Sequence, residues 1–119
     1  MIAVIFEVQM EELHRPDYLR IAASLADELR TIDGFISIER FQSLQSTDKL
    51  LSLSFWRDED AVKIWRNTEH HRAAQSAGRD SIFSQYRLRI ASVDRDYGMY
   101  DRKQAPDDSQ FFHGHREES

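Results

Sequence analysis

No cysteine occurs among the 119 residues, which excludes a disulfide framework, a thiolate metal site and a cysteine nucleophile. No apolar run is long enough to span a bilayer, and Met1 leads straight into an Ile-Ala-Val-Ile strand without a signal-peptide pattern. Nor is there a basic cluster. The net charge is −5, which argues against nucleic acid or an anionic membrane surface as the main partner. Internal repeats and a domain boundary are missing as well. One domain remains, long enough for a core and small enough that a partner subunit would add to it. Its simplest setting is the cytoplasm.

Residues 2–9 alternate, with Ile2, Val4, Phe6 and Val8 on one face and Ala3, Ile5 and Glu7 on the other. Bulk on both faces predicts a central strand covered on both sides. Glu7 is the exception, a carboxylate that either reaches water near the strand end or sits buried with a use. Pro16 suits the first helical position, where its missing N–H costs nothing. From there Tyr18, Ile21, Ala22, Leu25, Leu29 and Ile32 follow a 3.6-residue repeat as far as Gly34, whose left-handed backbone stops the helix.

Phe35–Leu44 and Lys49–Trp56 read as strands joined through the turn Gln45-Ser46-Thr47-Asp48. In the second of them Ser52, Ser54 and Trp56 share a face, and two serines leave room there for a cavity or a closely packed helix. Tyr86–Val93 reads as a fourth strand with Arg87 and Arg89 on one face. Those arginines either pair with Glu7 or Glu39 across strands or mark an anion site at a pocket edge.

The densest chemistry lies between the last two strands. Asp58, Glu59 and Asp60 stand where a helix begins, and Ala61, Val62 and Trp65 recur at helical spacing. A second short helix then carries His71 and Gln75 four residues apart, with Arg79 one turn on. Indole, imidazole, amide and guanidinium together can line a small-molecule pocket; the plainer alternative is a Trp-anchored helix with a solvated polar side. Residues 98–119 are polar and aperiodic, carry Pro106 and Gly114, and read as a flexible tail. Phe111 and Phe112 could dock on a neighbouring subunit, whereas His113-Gly114-His115 alone makes no metal site.

The order β-α-β-β-α-(α)-β over residues 1–97 predicts an α+β fold, a ferredoxin-like split β-α-β unit with an antiparallel sheet. Its helices cover one sheet face. The other face is apolar too, and a second copy is its simplest cover, which gives a homodimer built as a dimeric α+β barrel.

Several stretches carry a family likeness. Gly34-Phe35 opens the second strand, Ser54-Phe55-Trp56 ends the third, and Trp65 is followed by His71-x-x-Ala74-Gln75-x-x-Gly78-Arg79. With Tyr86-x-x-Arg89-Ile90-Ala91-x-Val93, these residues resemble the antibiotic biosynthesis monooxygenase family over roughly residues 1–97. The resemblance implies a dimeric α+β barrel and a monooxygenase that joins dioxygen to a small aromatic or phenolic substrate without a metal or organic cofactor. A heme-degrading branch of the superfamily uses an Asn on the first strand, a Trp on the second helix and an iron-ligating His. Trp65 matches that Trp, but Phe6 or Glu7 stands at the Asn position and Gln75 at the His position, and an amide is a poor iron ligand. Heme, with His70 or His71 as a shifted ligand, is thus the lesser alternative. A barrel that binds a small molecule without catalysis is another.

Cofactor-free oxygenation requires an apolar cavity, a base that generates a phenolate, and dioxygen. His71 and Glu7 are the candidate bases. Arg87 or Arg89 could stabilise the developing oxyanion. Trp65 would form an aromatic wall, with Phe6 and Gln75 contacting the substrate.

Overall fold

A computed structural model describes residues 1–77 and 81–109. The side chains of residues 69, 70, 75 and 77 lie outside the described residues, as do the segments 78–80 and 110–119. The chain forms β1 (Ile2–Gln9), α1 (Arg15–Thr31), β2 (Phe35–Gln42), β3 (Lys49–Trp56), α2 (Glu59–Arg66), α3 (Glu69–Ala77) and β4 (Gln85–Ser92). The four strands make one antiparallel sheet in the order β2-β3-β1-β4. This is the expected ferredoxin-like α+β arrangement. β2 stops two residues before the expected Leu44. Its last residue, Gln42, donates through Nε2 to the carbonyls of Ser46 and Lys49 at 3.3 and 3.0 Å and so closes the turn with its side chain. β4 runs one residue earlier than expected because its eight residues pair one to one with β1, Gln85 with Gln9 and Ser92 with Ile2.

Register decides which side chains meet. Ile2 faces Trp56, Val4 faces Ser54, Phe6 faces Ser52 and Val8 faces Leu50 across β1 and β3. These rows lie under the helices. At one end Ile2, Leu29, Ile32, Trp56, Ala61 and Val62 form a buried cluster; at the other, Val8, Met10, Tyr18, Leu50 and Ile82 form a second. The two serine rows fall between them. The core is therefore split where the sequence places its smallest strand residues.

The α1–β2 turn is fixed to the start of α2. Asp58 caps α2, accepting a hydrogen bond from the Ala61 amide at 2.9 Å. Arg57 grips both carboxylate oxygens of Asp33 at 3.1 Å and donates its backbone N–H to the Gly34 carbonyl at 2.7 Å. These charge-assisted contacts hold the Asp33 and Asp58 carboxyls below the usual carboxylate range. Gly34 has φ of +96°, and a Cβ there would lie 2.7 Å from the Ala61 Cβ. Gly34→Ala combines left-handed strain with that clash and should lower unfolding free energy by about 1–3 kcal/mol. Urea denaturation at constant m-value measures the effect, and an unchanged midpoint would contradict it.

The opposite sheet face carries Ile5, Leu51, Leu53 and Phe55, all half-buried in the single chain, with Phe41 at its edge exposed by 43%. Beyond β4, Arg102 stacks over Tyr97 at 5.1 Å and donates to the carbonyls of Gly98 and Ser109 at 3.1 and 3.2 Å. The stretch expected to be a flexible tail is thus knit to itself around Arg102 as far as residue 109. Phe111, Phe112, His113 and His115 lie outside the described residues.

Candidate functional site

Between the two core clusters, under the helices, is a cavity of about 170 Å³. Ser52 and Ser54, both buried, make its floor with Val4 and Phe6. α1 contributes Tyr18, Ile21 and Ala22, α2 contributes Trp65, and α3 contributes His71 and Ala74. The cavity follows from side-chain volume: serine where neighbouring strand positions carry leucine or tryptophan leaves space that the helix side chains do not fill. Ser54 is also occupied as an acceptor, taking the Trp56 indole N–H at 2.9 Å.

One wall is aromatic. Phe6 lies 5.7 Å from Phe83 and 5.8 Å from Tyr86, and Tyr18 meets Phe83 edge-on at 5.8 Å. Elsewhere in the lining the His71 imidazole packs on the Trp65 indole, their centroids 4.9 Å apart. A corner between α2 and α3 sets this pair. The Thr68 hydroxyl donates to the Trp65 carbonyl at 3.0 Å and accepts the His71 amide N–H at 3.2 Å. Asn67 terminates α2 by donating to the Lys63 carbonyl at 2.9 Å and accepts from Arg72. Burial pushes the His71 imidazole below its ordinary range, and the Arg72 and Arg66 cations push it further in the same direction. At neutral pH it is therefore uncharged, with one ring nitrogen able to accept a proton.

Arg40 brings a charge to the same lining. Its Nε is shut away from solvent and has no hydrogen-bond partner. Among the described residues no carboxylate pairs with its guanidinium.

Of the residues singled out from the sequence, Phe6, Trp65 and His71 meet at the cavity. Glu7, Arg87 and Arg89 do not: all three lie on the opposite sheet face, because strand side chains alternate and Phe6 and Leu88 take the cavity side. Glu7 is instead ion-paired with Arg89 at 3.2 Å. For Glu7 and Arg89 this is the cross-strand pairing, and the sheet face that all three share keeps them from the cavity. The Gln75 side chain, His70 and Arg79 lie outside the described residues. Arg40, Tyr18 and Tyr86 were missed as site residues. For Arg40 the signal was a charge in phase with Ile38. It is obscured because β2 is apolar in both phases and carries a register irregularity between Phe35 and Ser37.

Among the described residues no group of three His, Cys, Asp or Glu could hold a metal ion. The His71 ring is packed on Trp65 and not turned to a heme iron, and the His70 side chain lies outside the described residues.

The family model for antibiotic biosynthesis monooxygenase matches residues 1–77. The chain belongs to the antibiotic biosynthesis monooxygenase family. A Pyricularia oryzae protein named jasmonate monooxygenase ABM is 47% identical over 93 residues, which cover 78% of this chain and 43% of that one. The uncharacterised Bacillus subtilis protein YqjZ is 32% identical over 62 residues, 52% of this chain and 53% of its own. The chain thus spans about half the length of the curated relatives it matches. Two solved structures share the fold. A candidate antibiotic biosynthesis monooxygenase of Deinococcus radiodurans superposes with a TM-score of 0.74 at 12% identity, covering 82% of this chain and 97% of that one. Mycobacterium tuberculosis Rv0793 gives 0.73 at 14% identity, with 82% and 98% covered. For this antibiotic biosynthesis monooxygenase domain the matched region supplies Trp65, His71, Arg40 and the serine floor, whereas Phe83 and Tyr86 follow it. Among the described residues no helix is long and apolar enough to cross a membrane.

Proposed function

We propose that the chain is a cofactor-independent monooxygenase acting on a small aromatic or phenolic molecule. The observation that carries this reading is an uncharged imidazole, His71, packed at a tilt against Trp65 in the lining of an otherwise largely apolar cavity. A phenol seated there gives its hydroxyl proton to His71, and the resulting phenolate is electron-rich enough at its ring carbon to react with dioxygen. The net change needs no external reductant. A phenol and one dioxygen give a quinone and one water: one oxygen atom becomes the new carbonyl, the other leaves as water, and the substrate supplies all four electrons. Arg40 brings a cation to the cavity lining, whereas Arg87 and Arg89, the expected oxyanion stabilisers, lie on the other sheet face. Dioxygen uptake by chelator-treated protein with α-naphthol tests the proposal. Uptake coupled to naphthoquinone formation supports it; uptake no faster than without protein would reduce the chain to a binding barrel.

The 47% identity to a relative named for jasmonate favours a second reading, in which jasmonate occupies the same cavity. Isothermal titration of the chain with jasmonate and with α-naphthol separates the two, since it reads occupancy of the cavity without requiring a reductant.

The assembly we propose is a homodimer with the two open sheet faces packed together. Leu53 lies centrally on that face, beside Ile5 and Glu39 in register. Leu53→Glu should convert the dimer to monomer in sedimentation equilibrium, since it would place a further carboxylate beside Glu39 on each of the two packed faces. A wild-type monomer, or a variant that still dimerises, would refute the arrangement.

A further inference from the structure

We propose that the cavity selects substrates bearing a carboxylate, with Arg40 as the anchor. The inference rests on the cavity being the substrate site and adds the class of molecule it takes. A guanidinium carries five donors in a planar fork matched to a carboxylate. In Arg40 that fork meets no acceptor of the chain among the described residues, and its Nε is closed to water. Arg40 is half-buried in the cavity lining, with Nε closed off and the rest of the fork open, so a carboxylate entering the cavity meets a guanidinium that no described group of the chain already occupies. Three other arginines of the fold are matched to carboxylates. Arg57 grips Asp33, Arg89 pairs with Glu7 and Arg20 pairs with Asp17.

The sheet also gives the ligand an orientation. Arg40, Ser52, Phe6 and Leu88 form one row across β2, β3, β1 and β4. Arg40 and Phe6 are two strands apart, roughly 10 Å at the usual strand spacing. Phe6 leads into the aromatic wall of Phe83 and Tyr86. A molecule with a carboxylate at one end and a ring at the other, separated by a short linker, would lie along this row with its acid at Arg40. Ser52 sits between the two as a small polar floor.

The test compares cinnamate with methyl cinnamate, which differ only in the charged end, by isothermal titration calorimetry on the full chain. Wild type should bind the acid roughly tenfold or more tightly, the scale of hydrogen bonds to a charged partner. Arg40→Gln should erase that preference while leaving the ester's affinity in place, and Arg40→Lys, which keeps the charge but not the fork, should restore only part of it. Thermal melting confirms that each variant is folded. Equal binding of acid and ester by wild type, or an acid preference that survives Arg40→Gln, would overturn the carboxylate assignment alone. If neither compound binds, the reading of the cavity as a substrate site fails with it.

Discussion

Trp56→Ala is expected to cost about 3–5 kcal/mol of unfolding free energy, the range for removing a fully buried aromatic side chain. Trp56 is 1% exposed and lies in the cluster that joins β3 and β1 to α1 and α2. Its ring meets Phe35 edge-on at 5.2 Å, a favourable aromatic geometry, and its indole N–H is satisfied by Ser54. Truncation loses the packing and leaves the buried Ser54 hydroxyl without its donor. Small domains hold only about 5–15 kcal/mol in total, so the variant would be marginal. Trp56→Phe separates the contributions, since it keeps a ring against Phe35 and loses the hydrogen bond, worth about 1 kcal/mol. Urea unfolding followed by circular dichroism measures both, and a loss below about 1 kcal/mol for the alanine variant would contradict the packing account. Trp65 makes the useful contrast. It is half-buried in the cavity lining, so Trp65→Ala should cost less stability than Trp56→Ala and more activity.

His71→Gln is expected to lower turnover by about 100- to 10,000-fold, the usual contribution of a positioned general base, with the fold intact. Glutamine keeps a polar side chain in the α3 position but cannot take up a proton. The pH dependence gives a second readout. Burial and the flanking Arg66 and Arg72 cations lower the His71 pKa, so the base is uncharged at pH 7. Turnover in wild type should be level there and fall on an acid limb lying below the ordinary histidine value of about 6.5. The sign for stability runs the same way. The unfolded imidazole binds its proton first as pH drops, so this contribution to stability is full above about pH 6.5 and is lost as pH falls through the lower folded value. A turnover profile without that limb, or a variant with unchanged turnover, would remove His71 from the chemistry.

The fold was legible because its signals are local and repeated. The 3.6-residue repeat from Tyr18, the left-handed Gly34 and the acidic start of α2 each act within a few residues; α1 itself closes at Thr31, with Ile32 already extended before Gly34 makes its turn. The paired serines of β3 pointed to a space without saying what would line it. Arg87 and Arg89 illustrate the limit. Alternation correctly placed them on one face of β4, but which face lies under the helices depends on register with β1, a long-range property. Arg40 was hidden for a related reason, since β2 is apolar in both phases and its register slips near Phe35. Assigning the cation of the cavity thus required knowing which side of the sheet the helices cover.

The central claim is that this cavity passes an oxygen atom from dioxygen directly to an organic substrate. It is tested most directly by incubating chelator-treated protein with α-naphthol under dioxygen labelled with the heavy oxygen isotope, then weighing the naphthoquinone by mass spectrometry. The account predicts one labelled oxygen in the quinone, formed in wild type and not in His71→Gln. Label from water alone, or equal product from both proteins, would contradict it.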